Sequence, residues 1–339
     1  MESGKSFARR RTRIANSERV AMSTNNKGMR RFALVITFIS VVSLALTGCS
    51  AGGYGSDASP KTSKFVIDKF NQGQFLDPFT AGSPEMGITL EAMGNLSALG
   101  YDKSKQEKAI AWVTNNTDKL NSPGLVGSYI FTSHALGFAD DLSVSEQLTK
   151  LKASVEDDGS IKDSNNFADS WVIFALLASG EKDLANKVAL KLSALCETSG
   201  GYKYVQGDAS STEATDVTSF AIISMKATEG LGNSEEEAAK SFAINKAKTW
   251  LQSSIVESNH WLMDEDADIS GTAYAIMAMT ALGEDVSAQI KWLSAQANSK
   301  DGGITSPWSD GEGDVFSSAQ SLLALSKLSL IDVLKHKVN

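Results

Sequence analysis

The segment Asp264–Gly283, DEDADISGTAYAIMAMTALG, opens with acidic residues and then runs apolar on every side from Ala273 to Leu282. A helix that is apolar all round must be walled in, by other helices or by lipid. This run is too short to cross a bilayer, so it predicts a helix buried inside protein. The pattern recurs. Similar segments start at Glu85, Ser122, Asn165, Asp216, Asp268 and Asp314, about 37 to 52 residues apart, and most end in small residues followed by Gly. That interval is in the range of helix-pair repeats.

Between these segments lie helices of another kind. KQEKAIAWV, AINKAKTWL and SAQIKWL carry Trp112-Val113, Trp250-Leu251 and Trp292-Leu293 on one face and Lys, Glu and Gln on the other. Further copies fall near residues 65–70, 148–155 and 184–195. About six amphipathic helices thus alternate with about six buried ones. An inner ring of buried helices inside an outer ring of amphipathic ones satisfies that alternation. Helix pairs could also stack as an open solenoid, but a solenoid would not need one helix of each pair to be apolar all round. Turns of one type follow several outer helices, at Asp157-Asp158-Gly159-Ser160, Ser199-Gly200-Gly201-Tyr202 and Asp301-Gly302-Gly303-Ile304. Glycines there allow a tight reversal through positive φ. No convincing alternating strands follow Lys64. The acidic starts of the buried helices are expected to gather at one rim of the ring.

Ahead of this pattern, Arg30 and Arg31 precede a mostly apolar run from Phe32 to Leu46, which ends in Leu46-Thr47-Gly48-Cys49. The run has signal-peptide rather than membrane-span length. The four residues resemble the lipobox of bacterial lipoproteins, which implies that residues 1–48 are removed, that Cys49 carries the lipid anchor and that the protein sits on the outer face of the cell membrane. Residues 49–63, rich in Gly, Ser and Ala, read as a flexible tether, and 64–335 as the helical domain. Residues 49–339 keep 23 Lys and 38 Asp or Glu, for a net charge of −15, and no arginine follows Arg31. Arginine is the preferred residue for bidentate phosphate contacts, so nucleic acid and diphosphate partners are disfavoured. Only Cys196 remains besides Cys49, so an internal disulfide is impossible.

The stretch QANSKDGG from Gln296 to Gly303, preceded by Trp292-Leu293 and followed by Asp314 and an apolar helix, resembles the repeat of terpenoid cyclases and protein prenyltransferases. The chain looks most like the secreted prenyltransferase-like repeat proteins of Gram-positive bacteria. The resemblance implies an all-α fold, an α/α toroid of about six inner and six outer helices. Cobalamin carriers share that toroid, so fold does not decide function.

The resemblance also directs attention to particular residues. Class II terpenoid cyclases use an Asp-x-Asp-Asp-Thr-Ala acid motif. The nearest match is Asp266-Ala267-Asp268-Ile269-Ser270-Gly271-Thr272-Ala273, in which the acid pair is broken. Asp268 and Asp314 are therefore either acid catalysts of a divergent cyclase or lyase, or helix N-caps equivalent to Asp216. As a cap, Asp268 should stay ionised, because hydrogen bonds to the charged form lower a carboxylate pKa. The zinc set of prenyltransferases is missing: His134, His260 and His336 are the only histidines, and Cys196 lacks a neighbouring Asp in the family's manner. Asp264, Asp266 and Asp268 could begin a calcium loop, as could Asp310, Glu312 and Asp314. The first set lacks the glycine at position six and the Glu at position twelve of an EF-hand, and a solvated acidic rim is the simpler reading. No metal or cofactor is expected. Tyr202, Tyr204, Trp261 and Trp308 fall in loops at the acidic rim, where a rigid scaffold often carries binding. With Asp216, Asp268 and Asp314 they are the candidate contacts for a small apolar or amphipathic ligand or a cell-surface partner. A purely structural surface protein with a filled axis is the third reading.

Overall fold

The computed structural model describes residues 58–73, 75, 84–206 and 209–335. The lipobox, Cys49, most of the tether and His336 lie outside these. Thirteen α-helices are present among the described residues. Those of the inner ring are α2 (Met86–Ala98), α4 (Pro123–Ala135), α6 (Asn166–Ala178), α8 (Thr215–Ala227), α10 (Ile269–Ala281) and α12 (Val315–Leu325). Outside them lie α1 (Ala58–Asn71), α3 (Glu107–Thr114), α5 (Leu142–Ser154), α7 (Lys182–Ser193), α9 (Ser234–Ser254) and α11 (Ser287–Ala295). Each inner helix packs on the next, and α12 packs back on α2, so the ring closes. The fold is an α/α toroid.

The helix α1 begins at Ala58, six residues before the expected start of the domain, and buries Ser59, Thr62 and Ser63. Residues 58–63 are therefore part of the outer ring rather than tether. Small polar residues hid this, because they pack closely here without raising hydrophobicity. In the outer ring, Val113, Leu251 and Leu293 of the Trp-Val and Trp-Leu pairs are fully buried. The tryptophans themselves are half-buried and pack against the core.

All inner helices run in one direction. Gly87 faces Leu125 and Gly94 faces Thr132, a constant offset, and Gly124 faces Ala168 as Gly127 faces Trp171. A β-carbon on Gly127 would lie 2.9 Å from the carbonyl oxygen of Trp171, so glycine sets the close approach of α4 to α6. Parallel inner helices put their N-caps at one end of the ring. Five of these caps are side chains that accept from the third helical N–H, namely Glu85, Ser122, Asn165, Asp268 and Asp314. Each such cap stabilises its helix by about 0.5–2 kcal/mol. The exception is α8, capped by Ala214 without a side-chain bond, with Asp216 lying second in the helix. The expected equivalence of Asp216 to Asp268 and Asp314 is thus corrected.

Two short antiparallel hairpins also depart from the helix-only expectation. These are β1 (Lys203–Gln206) with β2 (Ala209–Glu213), and β3 (Leu262–Met263) with β4 (Asp266–Ala267). They widen the loops that feed α8 and α10. The far end of the ring is closed by α13 (Leu330–Lys335), which touches α2, α6 and α8 and buries Leu330 and Val333. No helix of the described residues is long and apolar enough to cross a membrane.

Candidate functional site

Counting from the first residue of each inner helix orders the axis into layers, because positions two, six and nine share one face of a helix. Position two, at the N-terminal mouth, holds Gly87, Gly124, Phe167, Asp216, Ser270 and Phe316. Position six holds Glu91, Ser128, Trp171, Phe220, Tyr274 and Gln320, one from each helix. Contacts join five of these six, all but Ser128. Glu91 Oε1 accepts from the Tyr274 hydroxyl at 2.9 Å, and Gln320 Nε2 lies 3.5 Å from Glu91 Oε2. Phe220 packs on Tyr274 at 5.4 Å and on Trp171 at 4.9 Å between ring centroids. Phe167 leans down from the mouth onto Phe220 and Tyr274, at 5.0 and 5.8 Å.

Access falls off with depth. Phe167 and Asp216 are half-buried at the mouth. One layer down, Glu91 and Trp171 keep 7% exposure and Gln320 keeps 6%. Below them, at position nine, Phe131, Phe174, Ile223, Met277 and Leu323 are exposed by 2% or less. Phe131 and Phe174 pack there at 5.3 Å. Exposure therefore decreases down the axis, from an aromatic and acidic N-terminal mouth, called the well below, to an apolar floor.

Burial dominates the electrostatics of this well. The Glu91 carboxyl is pushed up to about 7, because desolvation outweighs its bonds from Tyr274 and Gln320 and Glu85 adds repulsion. Asp268 is pushed up to about 6 by burial, against the bond from Gly271 N–H and with repulsion from Asp216. This corrects the expectation that capping would hold Asp268 low: the cap geometry is present, with Gly271 N at 2.8 Å, but one hydrogen bond does not offset near-complete burial. Burial also raises Asp216. Asp169 rises to about 6 as well. It sits at position four, however, where α2, α8, α10 and α12 carry Thr89, Thr218, Thr272 and Ser318. That position faces the incoming loop, and Asp169 accepts there from Ser164 at 2.6 Å.

The loop aromatics divide. Trp261 is 2% exposed, its indole N–H donating to the Leu251 carbonyl at 2.9 Å. Tyr202 is wholly buried, its hydroxyl 3.8 Å from the sulfur of Met225. Both are anchors of the repeat: Tyr202, Trp261 and Ile304 each donate a backbone N–H to the position-four hydroxyl of the next inner helix. They are corrected from rim contacts to core. Tyr204 and Trp308 remain exposed, on β1 and in the loop before α12. Asp314 caps α12 through Ser317 N at 2.9 Å. His134 pairs with Ser179, and His260 stacks on Trp292. Among the described residues no three His, Cys, Asp or Glu side chains are placed to hold a metal ion.

Sequence reasoning missed Glu91, Ser128 and Gln320. Aligning the repeats on their small-residue ends obscures the layer, because α12 is shorter than the other inner helices. Counting from the caps brings it out.

In sequence, no protein-family model and no curated protein matches the chain. In structure it is similar to the type II terpene cyclase MstE from Scytonema (TM-score 0.60, 13% identity, covering 80% of this chain and 96% of that one). It is similar as well to unsaturated glucuronyl hydrolase from Bacillus sp. GL1 (TM-score 0.57, 11% identity, 79% and 95%). Haptocorrin in complex with Cbi is a third (TM-score 0.56, 13% identity, 82% and 69%). At these identities the likeness is one of fold: the chain is an α/α toroid of the architecture that these proteins share.

Proposed function

We propose that this chain is a lipid-anchored, extracytoplasmic toroid whose N-terminal well binds a small amphipathic ligand without converting it. The observation that carries the reading is the position-six layer. Above an apolar, closed floor it places an acid, an amide and a hydroxyl beside three aromatic rings, and Glu91, Trp171 and Gln320 there keep 6–7% exposure. Ligand sites in proteins have this make-up, apolar walls with a few convergent polar groups. The broken acid motif around Asp268, which caps a helix, speaks against cyclase chemistry there. Anchoring rests on the lipobox ending in Cys49.

One observation favours an enzyme instead. A carboxyl near 7, as at Glu91, is suited to general acid catalysis at neutral pH, and the similar structures include a terpene cyclase and a glucuronyl hydrolase. Binding is preferred because the layer offers one such acid, with no second carboxylate bonded to it.

Thermal-shift titration of the full chain against cationic, neutral and anionic amphiphiles tests the well. At least one class should raise the melting temperature saturably, and Ser128→Phe, which fills the layer, should abolish the response. A response unchanged in that variant, or none in any class, sinks the binding reading, and turnover of a bound probe transfers the site to the enzyme reading. In the same expression host, Cys49→Ala should move the protein from membranes to medium. Retention of that variant after a high-salt wash defeats the anchor.

A further inference from the structure

Charge is not balanced around the well. Among the described residues, none of Glu85, Glu91, Asp216, Asp268 and Asp314 forms an ion pair, although eight pairs occur elsewhere. Glu85 acts electrostatically on Glu91, and Asp216 on both Asp268 and Tyr274, so four of these carboxylates share one region. Two polar atoms of the position-six layer, Gln320 Oε1 and Ser128 Oγ, are buried with no hydrogen-bond partner. Gln320 and Ser128 are themselves 6% and 2% exposed. The Gln320 amide is held in the layer, since its nitrogen faces Glu91. Buried polar atoms are ordinarily satisfied, so each exception needs an explanation, of which a bound occupant is one.

The chemistry of these groups selects the occupant. Carboxylates and an amide oxygen only accept hydrogen bonds, and a serine hydroxyl can also accept, so the complement is a donor. Uncompensated carboxylates call for positive charge. The aromatic wall of Phe167, Trp171 and Tyr274 attracts a cation through its ring faces and shelters an alkyl chain. A metal ion is not served, because among the described residues no three His, Cys, Asp or Glu side chains are placed to hold one. An anion would meet only like charge.

Resting on the binding function proposed above, we infer that the well is a recognition site for a primary alkylammonium. Its N–H donors reach Glu91, Gln320 Oε1 and Ser128 Oγ, and its chain leaves along Phe167 and Trp171 past Asp216.

Calorimetric titration of the full chain with n-hexylamine, hexan-1-ol and sodium hexanoate at pH 8 tests this, since the three differ only in the charge and donors of the head group. The amine should bind saturably, the alcohol about tenfold or more weakly, and the acid not at all. Glu91→Gln and Gln320→Leu should each weaken amine binding by about tenfold, while Phe242→Ala, on the exposed face of α9, should leave it unchanged. Melting curves establish that each variant is folded, and Gln320→Leu carries the test if Glu91→Gln is not. Equal affinity for alcohol and amine, a preference for hexanoate, or an amine affinity unmoved in both variants overturns the inference. A well that takes neutral or anionic amphiphiles and is blocked by Ser128→Phe would refute the ammonium and leave the binding function standing. A well that takes none of them would refute both.

Discussion

The two ends of the inner ring are built from the same six helices and have opposite character. At the C-terminal end, position nine is apolar, aromatic rings interlock and α13 lies across the opening. At the N-terminal end, acids and hydroxyls are left half-buried at the mouth, and exposure falls to 7% at Glu91. The difference follows from helix polarity. Free N–H groups at a helix start recruit Asp, Glu, Asn and Ser as caps, so six parallel helices concentrate acidic side chains at one rim. Burial then raises Asp268, Asp216 and, one layer down, Glu91, none of which forms an ion pair among the described residues. The lower end holds the fold together, and the upper end holds charge at a cost in stability.

Breaking the floor should have the largest effect. Phe174 is fully buried against Phe131 and Phe220, and Phe174→Ala should cost about 3–5 kcal/mol in denaturant unfolding, with the well's ligand response reduced in parallel. A cost under about 1 kcal/mol would mean that the floor is not packed as described.

The mouth should respond to pH in the opposite sense. Glu91 has an ordinary value of 4.5 and is raised to about 7 in the folded protein, so the native state keeps a proton that the unfolded chain releases in between. Stability therefore falls as pH rises from about 4.5 to 7. Asp268 and Asp169, raised from 3.8 to about 6, act in the same direction about a unit lower. Glu91→Gln removes the largest part of this loss. It should match wild type near pH 4 and exceed it by up to roughly 3 kcal/mol at pH 8. Parallel pH–stability curves for the two proteins would disprove the uncompensated acid.

The smallest effect separates cap from charge at one residue. Asp268→Asn keeps the bond from Gly271 N–H and removes a buried charge, so at pH 7 it should melt at or above wild type. It should exceed Asp268→Ala by about 0.5–2 kcal/mol, the value of a cap. Equal melting of the Asn and Ala variants would show that the cap contributes nothing.

Much of the architecture was legible in the chain. The apolar runs after Glu85, Ser122, Asn165, Asp268 and Asp314 are inner helices with those residues as caps, and the Trp-Val and Trp-Leu pairs mark the outer ring. Hydrophobic periodicity and capping are local properties, and they determined the helices and the two-ring arrangement. The site was not legible to the same degree. Tyr202 and Trp261 look like rim aromatics and are core anchors, because a loop residue's burial depends on the helix that covers it. Glu91, one acid in a buried helix, acquires its raised pKa from burial in the closed ring, against the bonds from Tyr274 and Gln320, more than 180 residues away. Which face of each inner helix meets the axis, how deep solvent reaches and which carboxylates go unpaired were decided only by closure of the ring. Closure brings position six of all six helices into one layer, and sequence spacing alone does not contain that juxtaposition.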